Sequence, residues 1–235
     1  MNVKEKMRPE RKTAIIVGAL YIAATVSGVL TVAPLGALQK SPGILTNAAG
    51  NVNRMIMLVV FELIMAITVA GVAFMIYPIL KRDSDTKVKE GLASWYLGSR
   101  ITEGAIFVVA VLATLAIMPL SQEFILAGSP VESYYQTFAA VLLDTADFAF
   151  MLGQSVFCVG AAMLYYLLFV SKIVPRWLSV WGFIAAPLML VASLSLIVTG
   201  DPNSTFSTVL YAPMALQEMV MAVWLIAKGF NSPAK

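Results

Sequence analysis

The chain has 235 residues, 60% of them hydrophobic and 12% charged, with a mean hydropathy of +0.85. Soluble domains average about 45–50% apolar and about 25% charged, so a water-soluble core of this length is excluded and lipid is the solvent the composition selects. The net charge of +3 is dispersed over loops, which argues against a nucleic-acid face; the lone Cys158 forbids an intrachain disulfide; and the absence of histidine removes Ser-His and Cys-His catalysis, histidine-ligated haem and ordinary zinc sites.

A tail carrying Lys4, Lys6, Arg8, Arg11 and Lys12 precedes the first apolar run, Thr13 to Leu35. That run exceeds the roughly 7–15 apolar residues of a signal peptide, so it is expected to stay as an uncleaved anchor. Five further runs follow: Met55 to Leu80, Leu92 to Pro119, Phe148 to Val170, Leu178 to Thr199 and Phe206 to Ala227. Each supplies the roughly 20 helical residues that cross a hydrocarbon core of about 30 Å, and each must be helical because lipid satisfies no backbone polar group.

Before the fourth run, Ser129-Pro130-Val131-Glu132 has the form of a capping box with proline at the first helical position. A helix running unbroken from there to Val170 measures about 60 Å, so it must project outward, bend near Gly153 or first lie along the membrane surface. Val131, Tyr134, Tyr135, Phe138 and Leu142 recur at helical spacing. An extra outer-face helix before the fourth span, interfacial or packed as a cap on the bundle, fits this pattern.

The fold class expected is therefore all-α: a polytopic bundle of six transmembrane helices, with a basic tail at 1–12, one domain over 13–230 and a tail at 231–235. Lys81, Arg82, Lys87, Lys89, Lys172, Arg176, Lys228 and Lys235 fall on the same side as the N-terminal tail, against only Lys40 and Arg54 on the other. The positive-inside rule places both termini in the cytoplasm of a plasma-membrane protein. Trp95, Trp177, Trp181 and Trp224, each near the cytoplasmic end of a span, agree with it.

Charges inside spans are the informative residues, because insertion scales put a central Asp, Lys or Arg at about 2.5–3.5 kcal/mol. Arg100 and Glu103 are three apart on one helical face, which Tyr96 extends by a turn. Glu103 lies about 16 Å into its span and Glu218 reaches a similar depth, while Glu62 lies nearer the outer face. One guanidinium serving two or three carboxylates is the simplest constellation. The fourth helix adds a polar stripe on one face, Asp144 and Asp147 just outside the span followed by Gln154, Cys158 and Tyr165. The bland alternative is that these groups only fix helix register or glue helices together.

Around these residues, Tyr96-Leu97-Gly98-Ser99-Arg100-Ile101-Thr102-Glu103, Val174-Pro175-Arg176-Trp177-Leu178-Ser179, and Ala215-Leu216-Gln217-Glu218 with Trp224-Leu225-Ile226-Ala227-Lys228-Gly229-Phe230 stand in a characteristic order. In them the chain resembles a bacterial and archaeal membrane family, domain of unknown function 4386, along nearly its whole length. The resemblance implies a prokaryotic multi-pass fold and no activity, and it brings Gln217 into the candidate set beside Glu218.

Three activity classes follow from the residues. The first is a pathway for a small solute, cation or proton, with Glu103 and Glu218 titrating and Arg100 tuning them. A non-catalytic membrane sensor or partner protein is the second, since the loops are too short for a soluble enzymatic domain. The third, an enzyme using paired carboxylates, lacks an activated nucleophile and metal-ligand spacing, so an enzymatic role is the least expected. No cofactor or metal is called for. Reporter fusions after Lys87 and Lys235 should read cytoplasmic and fusions near Gly128 and Asn203 external; an external Lys87 overturns the six-span topology.

Overall fold

The computed structural model describes residues 9–32, 43–130, 134–201 and 204–231. These form helices α1 (Pro9–Leu30), α2 (Ile44–Gly50), α3 (Val52–Arg82), α4 (Lys87–Leu126), α5 (Tyr134–Ser171), α6 (Arg176–Leu194), α7 (Leu196–Thr199) and α8 (Thr205–Ala227), with no strand among the described residues. α1, α3, α4, α5, α8 and the stretch Arg176–Thr199 that joins α6 to α7 are the six helical segments long and apolar enough to cross a membrane. The expected all-α, six-span architecture is the one observed.

The six spans close a ring in chain order, α1 against α3, α3 against α4, α4 against α5, α5 against α6, α6 against α8 and α8 back against α1. α4 and α8 therefore face each other across it. Inside, Tyr21, Tyr96, Tyr165, Leu168, Leu178 and Met221 are almost wholly buried. Many outward residues, such as Ile67, Phe74, Leu112 and Val209, are exposed and apolar, as a lipid-facing surface requires.

Helix packing explains where the elements depart from the sequence reading. α4 continues through Pro119, where the third span was expected to stop, and runs on to Leu126. A proline removes one backbone hydrogen bond, a loss that neighbouring helices can offset, and beyond it Ser121 and Phe124 are buried at the far end of the bundle. α2 was not expected at all. It is seven residues long, starts after Gly43 in the left-handed region (φ 109°), and buries Ile44, Leu45 and Ala48 in the same cluster as Met55, Ile117, Phe124 and Ala139.

Ser129 belongs to the helix before it rather than opening the one after it. Gly128 (φ 82°) and Ser129 (φ 54°) are left-handed, and their amides donate to the carbonyls of Ile125 and Phe124, both at 3.0 Å. This is a Schellman closure of α4, which takes up the residue the capping box needed. Val131 and Glu132 lie outside the described residues. The segment before the fourth span is not a separate helix but the first part of α5, helical without interruption past Gly153. Ala139 is buried, and Tyr135, Leu142 and Leu143 pack with α2 and α4, so this segment extends the α4–α5 hairpin instead of lying free.

At the opposite end, charges fasten the chain ends together. The Arg11 guanidinium donates to the carbonyls of Leu225, Ile226 and Ala227 in the last turn of α8. Glu10 pairs with Arg82 at 3.0 Å, and Asn231 donates to the carbonyls of Ile173 and Lys172. The α3–α4 turn sits here too, where Thr86 caps α4 and the Lys89 ammonium, 2.7 Å from Asp85, holds that carboxyl below its ordinary range.

Two seams depend on glycine because a neighbour occupies the space of a side chain. A Cβ on Gly104 of α4 meets the Ala66 carbonyl oxygen of α3 at 2.7 Å, and one on Gly182 of α6 collides with the Tyr165 ring of α5. Exposed Gly98 meets nothing within 4 Å. Gly104→Ala and Gly182→Ala should each destabilise the folded protein by about 1–3 kcal/mol, whereas Gly98→Ala should be neutral or stabilising by up to about 1 kcal/mol. Thermal unfolding in one detergent, with all three variants in parallel, checks the ordering.

Candidate functional site

Arg100 sits 3% exposed inside the ring, and three helices converge on its guanidinium. Its Nε donates to the Val69 carbonyl of α3 at 3.2 Å, its Nη1 lies 2.7 Å from Glu103 Oε2 on its own helix, and its Cζ stands 4.7 Å from the centre of the Phe157 ring of α5. The Nη1 to Oε2 approach is an ion contact whose angle misses that of a hydrogen bond, so the charges attract without satisfying each other's directional valences. Glu103 is equally buried. The helical spacing of three residues expected to pair these groups does so.

Glu218 is not in contact with Arg100. Its Oε2 accepts a long 3.4 Å hydrogen bond from Thr25 of α1, and the residue is partly buried. It nevertheless lies within electrostatic range of Arg100, Tyr21, Tyr96 and Tyr165. Tyr96, 1% exposed, turns its hydroxyl toward that of Tyr21 at a geometry short of a hydrogen bond. Among the described residues this cluster thus brings together one cation, Arg100, two carboxylates, Glu103 and Glu218, and three phenols, Tyr21, Tyr96 and Tyr165. The expectation that one guanidinium touches several carboxylates is met for Glu103 alone.

The remaining candidates form separate groups. Gln217, wholly buried, accepts from the Tyr165 hydroxyl at 2.6 Å and donates to the Leu178 carbonyl at 3.1 Å, tying α5, α6 and α8 together. Gln154 accepts from Ser193 at 3.1 Å, and Tyr211 donates to the same Ser193 at 3.4 Å. Exposed Asp144 and half-buried Asp147 interact electrostatically, Asp147 also with Asp201, and neither forms an ion pair among the described residues. Glu62 stands apart on α3, its Oε1 accepting from Thr114 of α4 at 3.3 Å.

Tyr21, Thr25, Thr114 and Phe157 are the partners that the sequence reading did not single out. Thr114 was reachable from the pattern, since it follows Glu103 by eleven residues, three turns along the same face. Tyr21 and Thr25, four apart on α1, carried a similar but weaker signal. Val69 contributes only a backbone carbonyl, which no side-chain pattern reveals.

Arg100, Glu103 and Tyr96 of this cluster are each buried. An apolar groove of about 390 Å³ lies on the lipid side of the α3–α4 seam, lined by residues including Ala66, Ala70, Gly71, Ile101 and Gly104, and a much smaller cavity lies near Asp83, Lys89 and Ser171. Neither is lined by Arg100, Glu103 or Glu218.

The family described as Domain of unknown function (DUF4386) matches residues 16–229. No curated protein and no solved structure matches the chain.

Gln217→Leu should destabilise the protein by about 1–3 kcal/mol, because it leaves the Tyr165 hydroxyl and the Leu178 carbonyl buried without their partner. Tyr165→Phe added to it should recover part of that loss. Unfolding of the two variants and wild type in one detergent measures both effects.

Proposed function

Because the chain belongs to the DUF4386 family, which prescribes no activity, we propose a function for this integral membrane protein from its buried chemistry: a proton-coupled pathway for a small solute or ion through the centre of the helix ring. The observation that carries this reading is the charge imbalance of the interior, where Glu103 and Glu218 stand on opposed helices and Arg100, among the described residues, pairs with Glu103 and not with Glu218. One guanidinium neutralises one carboxylate. The second must gain a proton, a cation or water whenever the interior is dry, so binding and release at Glu218 is linked to how the interior is exposed.

In this scheme Glu218 exchanges a proton or a cation, Thr25 orients its carboxylate, and Arg100 sets the charge that either occupant meets. Tyr21, Tyr96 and Tyr165 line the space between the two acids and supply hydroxyls for proton exchange. Asp144 and Asp147, at the end away from the chain termini, form an acidic approach to Gln154 and Ser193. The basic residues gathered at the other end support a plasma-membrane orientation with both termini cytoplasmic.

A second reading, a sensor or partner protein whose charged cluster is structural, is favoured by the absence of the cluster from either cavity. Amide substitution separates the two, because glutamine keeps the shape and loses the titration. Under the pathway reading, Glu218→Gln should fold with a near wild-type melting temperature, Glu103→Gln should lose stability because it strands Arg100, and both should lose pH-dependent flux by at least tenfold in reconstituted vesicles across a panel of solutes and cations. Wild-type flux in both variants removes titration from the mechanism and leaves the structural reading.

A further inference from the structure

Glu62 is the buried acid that the central cluster does not use. It lies on α3, 5% exposed, in a stretch long and apolar enough to span the membrane. Oε1 accepts the Thr114 hydroxyl of α4, itself wholly buried, while Oε2 is buried with no hydrogen-bond partner. No ion pair includes Glu62 among the described residues.

Groups that could balance a negative charge here can be taken element by element. α4 presents Thr114. α2 carries no charged residue, and the charges of α1, Glu10, Arg11 and Lys12, are all at its start, at the other end of the bundle. On α3 itself the nearest cation is Arg54, eight residues away and exposed. From α5, Asp144 and Asp147 act on each other, and Asp147 on Asp201, instead. Arg100, the buried cation of α4, is occupied by Val69, Glu103 and Phe157. An ionised carboxylate here has, among the described residues, one hydroxyl to solvate it and no counter-charge, a state that burial penalises by far more than a single hydrogen bond returns.

We propose that Glu62 is a resident proton site, separate from the Arg100 pair: at neutral pH it is a neutral carboxylic acid that keeps its proton on Oε2 while Oε1 accepts from Thr114. The orphaned Oε2 is the position that an acid hydroxyl occupies without needing an acceptor as strong as an ion requires. Glu103, beside its guanidinium, has the counter-charge that Glu62 lacks. Glu62 also sits one turn from Ala66, whose carbonyl oxygen packs against the place of a Gly104 side chain. This site is independent of the pathway reading, since it follows from the surroundings of Glu62 whether or not anything crosses the ring.

Infrared spectroscopy of the full chain in lipid vesicles tests it directly, because the carbonyl band of a protonated acid is resolved from carboxylate bands. The wild-type spectrum at neutral pH should contain an acid band that Glu62→Gln removes and Glu103→Gln retains. Thr114→Val, which preserves side-chain shape and withdraws the donated hydrogen bond, should shift that same band to higher frequency, and it provides the assignment if Glu62→Gln does not fold. A neutral-pH spectrum in which neither substitution alters the acid region means Glu62 is ionised and overturns the proposal. So does a band assigned to Glu62 that is unmoved by Thr114→Val, since the site as described would then not exist. Loss of flux without these spectral changes, or the changes without loss of flux, distinguishes failure of this proposal from failure of the pathway.

Discussion

A guanidinium held in the middle of a lipid-embedded bundle is the constraint around which the rest of this protein is arranged. A central arginine weighs about 2.5–3.5 kcal/mol against insertion, and an uncompensated one is rarely tolerated. Here the compensation comes from three directions, a carbonyl on α3, a carboxylate on α4 and an aromatic face on α5. The carbonyl and the aromatic face fix the positions of α3 and α5 relative to α4. The close α3–α4 approach at Gly104 and the short distance from Arg100 to Val69 are two expressions of one seam.

The other polar groups follow the same logic at lower cost. Gln217 and Tyr165 join α5, α6 and α8, Ser193 collects Gln154 and Tyr211, and Thr25 of α1 reaches Glu218 of α8. In lipid, where apolar contacts between helices gain little over contacts with acyl chains, such bonds and close packing select one helix order from many. The ring is closed by them as well as by the Arg11 clamp on the end of α8. Glu218 and Glu62 do not fit a purely architectural account, since neither touches a cation among the described residues and each retains a capacity for a proton. That surplus acidity is what makes a functional role the better reading.

Much of this was legible in the sequence because lipid imposes long, unmistakable apolar runs, and six runs became six spans. The Arg100–Glu103 pair was legible too, being three residues apart on one helix. What failed to show was non-local. Ser129 has the form of a cap for the following helix, yet its amide closes the preceding one, a choice decided by the left-handed Gly128. α2 is too short to carry a periodic signal and exists because α4 extends far enough past Pro119 to receive it. The expected contact between Arg100 and Glu218 failed although their depths match, because depth along two helices says nothing about which way their side chains turn across a ring.

The claim that the Arg100–Glu103 pair is the central constraint is tested most directly by a double-mutant cycle read as unfolding free energy in a single lipid or detergent condition. Arg100→Leu and Glu103→Leu should each lower stability by about 3–5 kcal/mol, because each strands a buried charge, while the double substitution should recover most of the loss. Two single losses that simply add in the double variant would mean the residues act independently and would contradict the account.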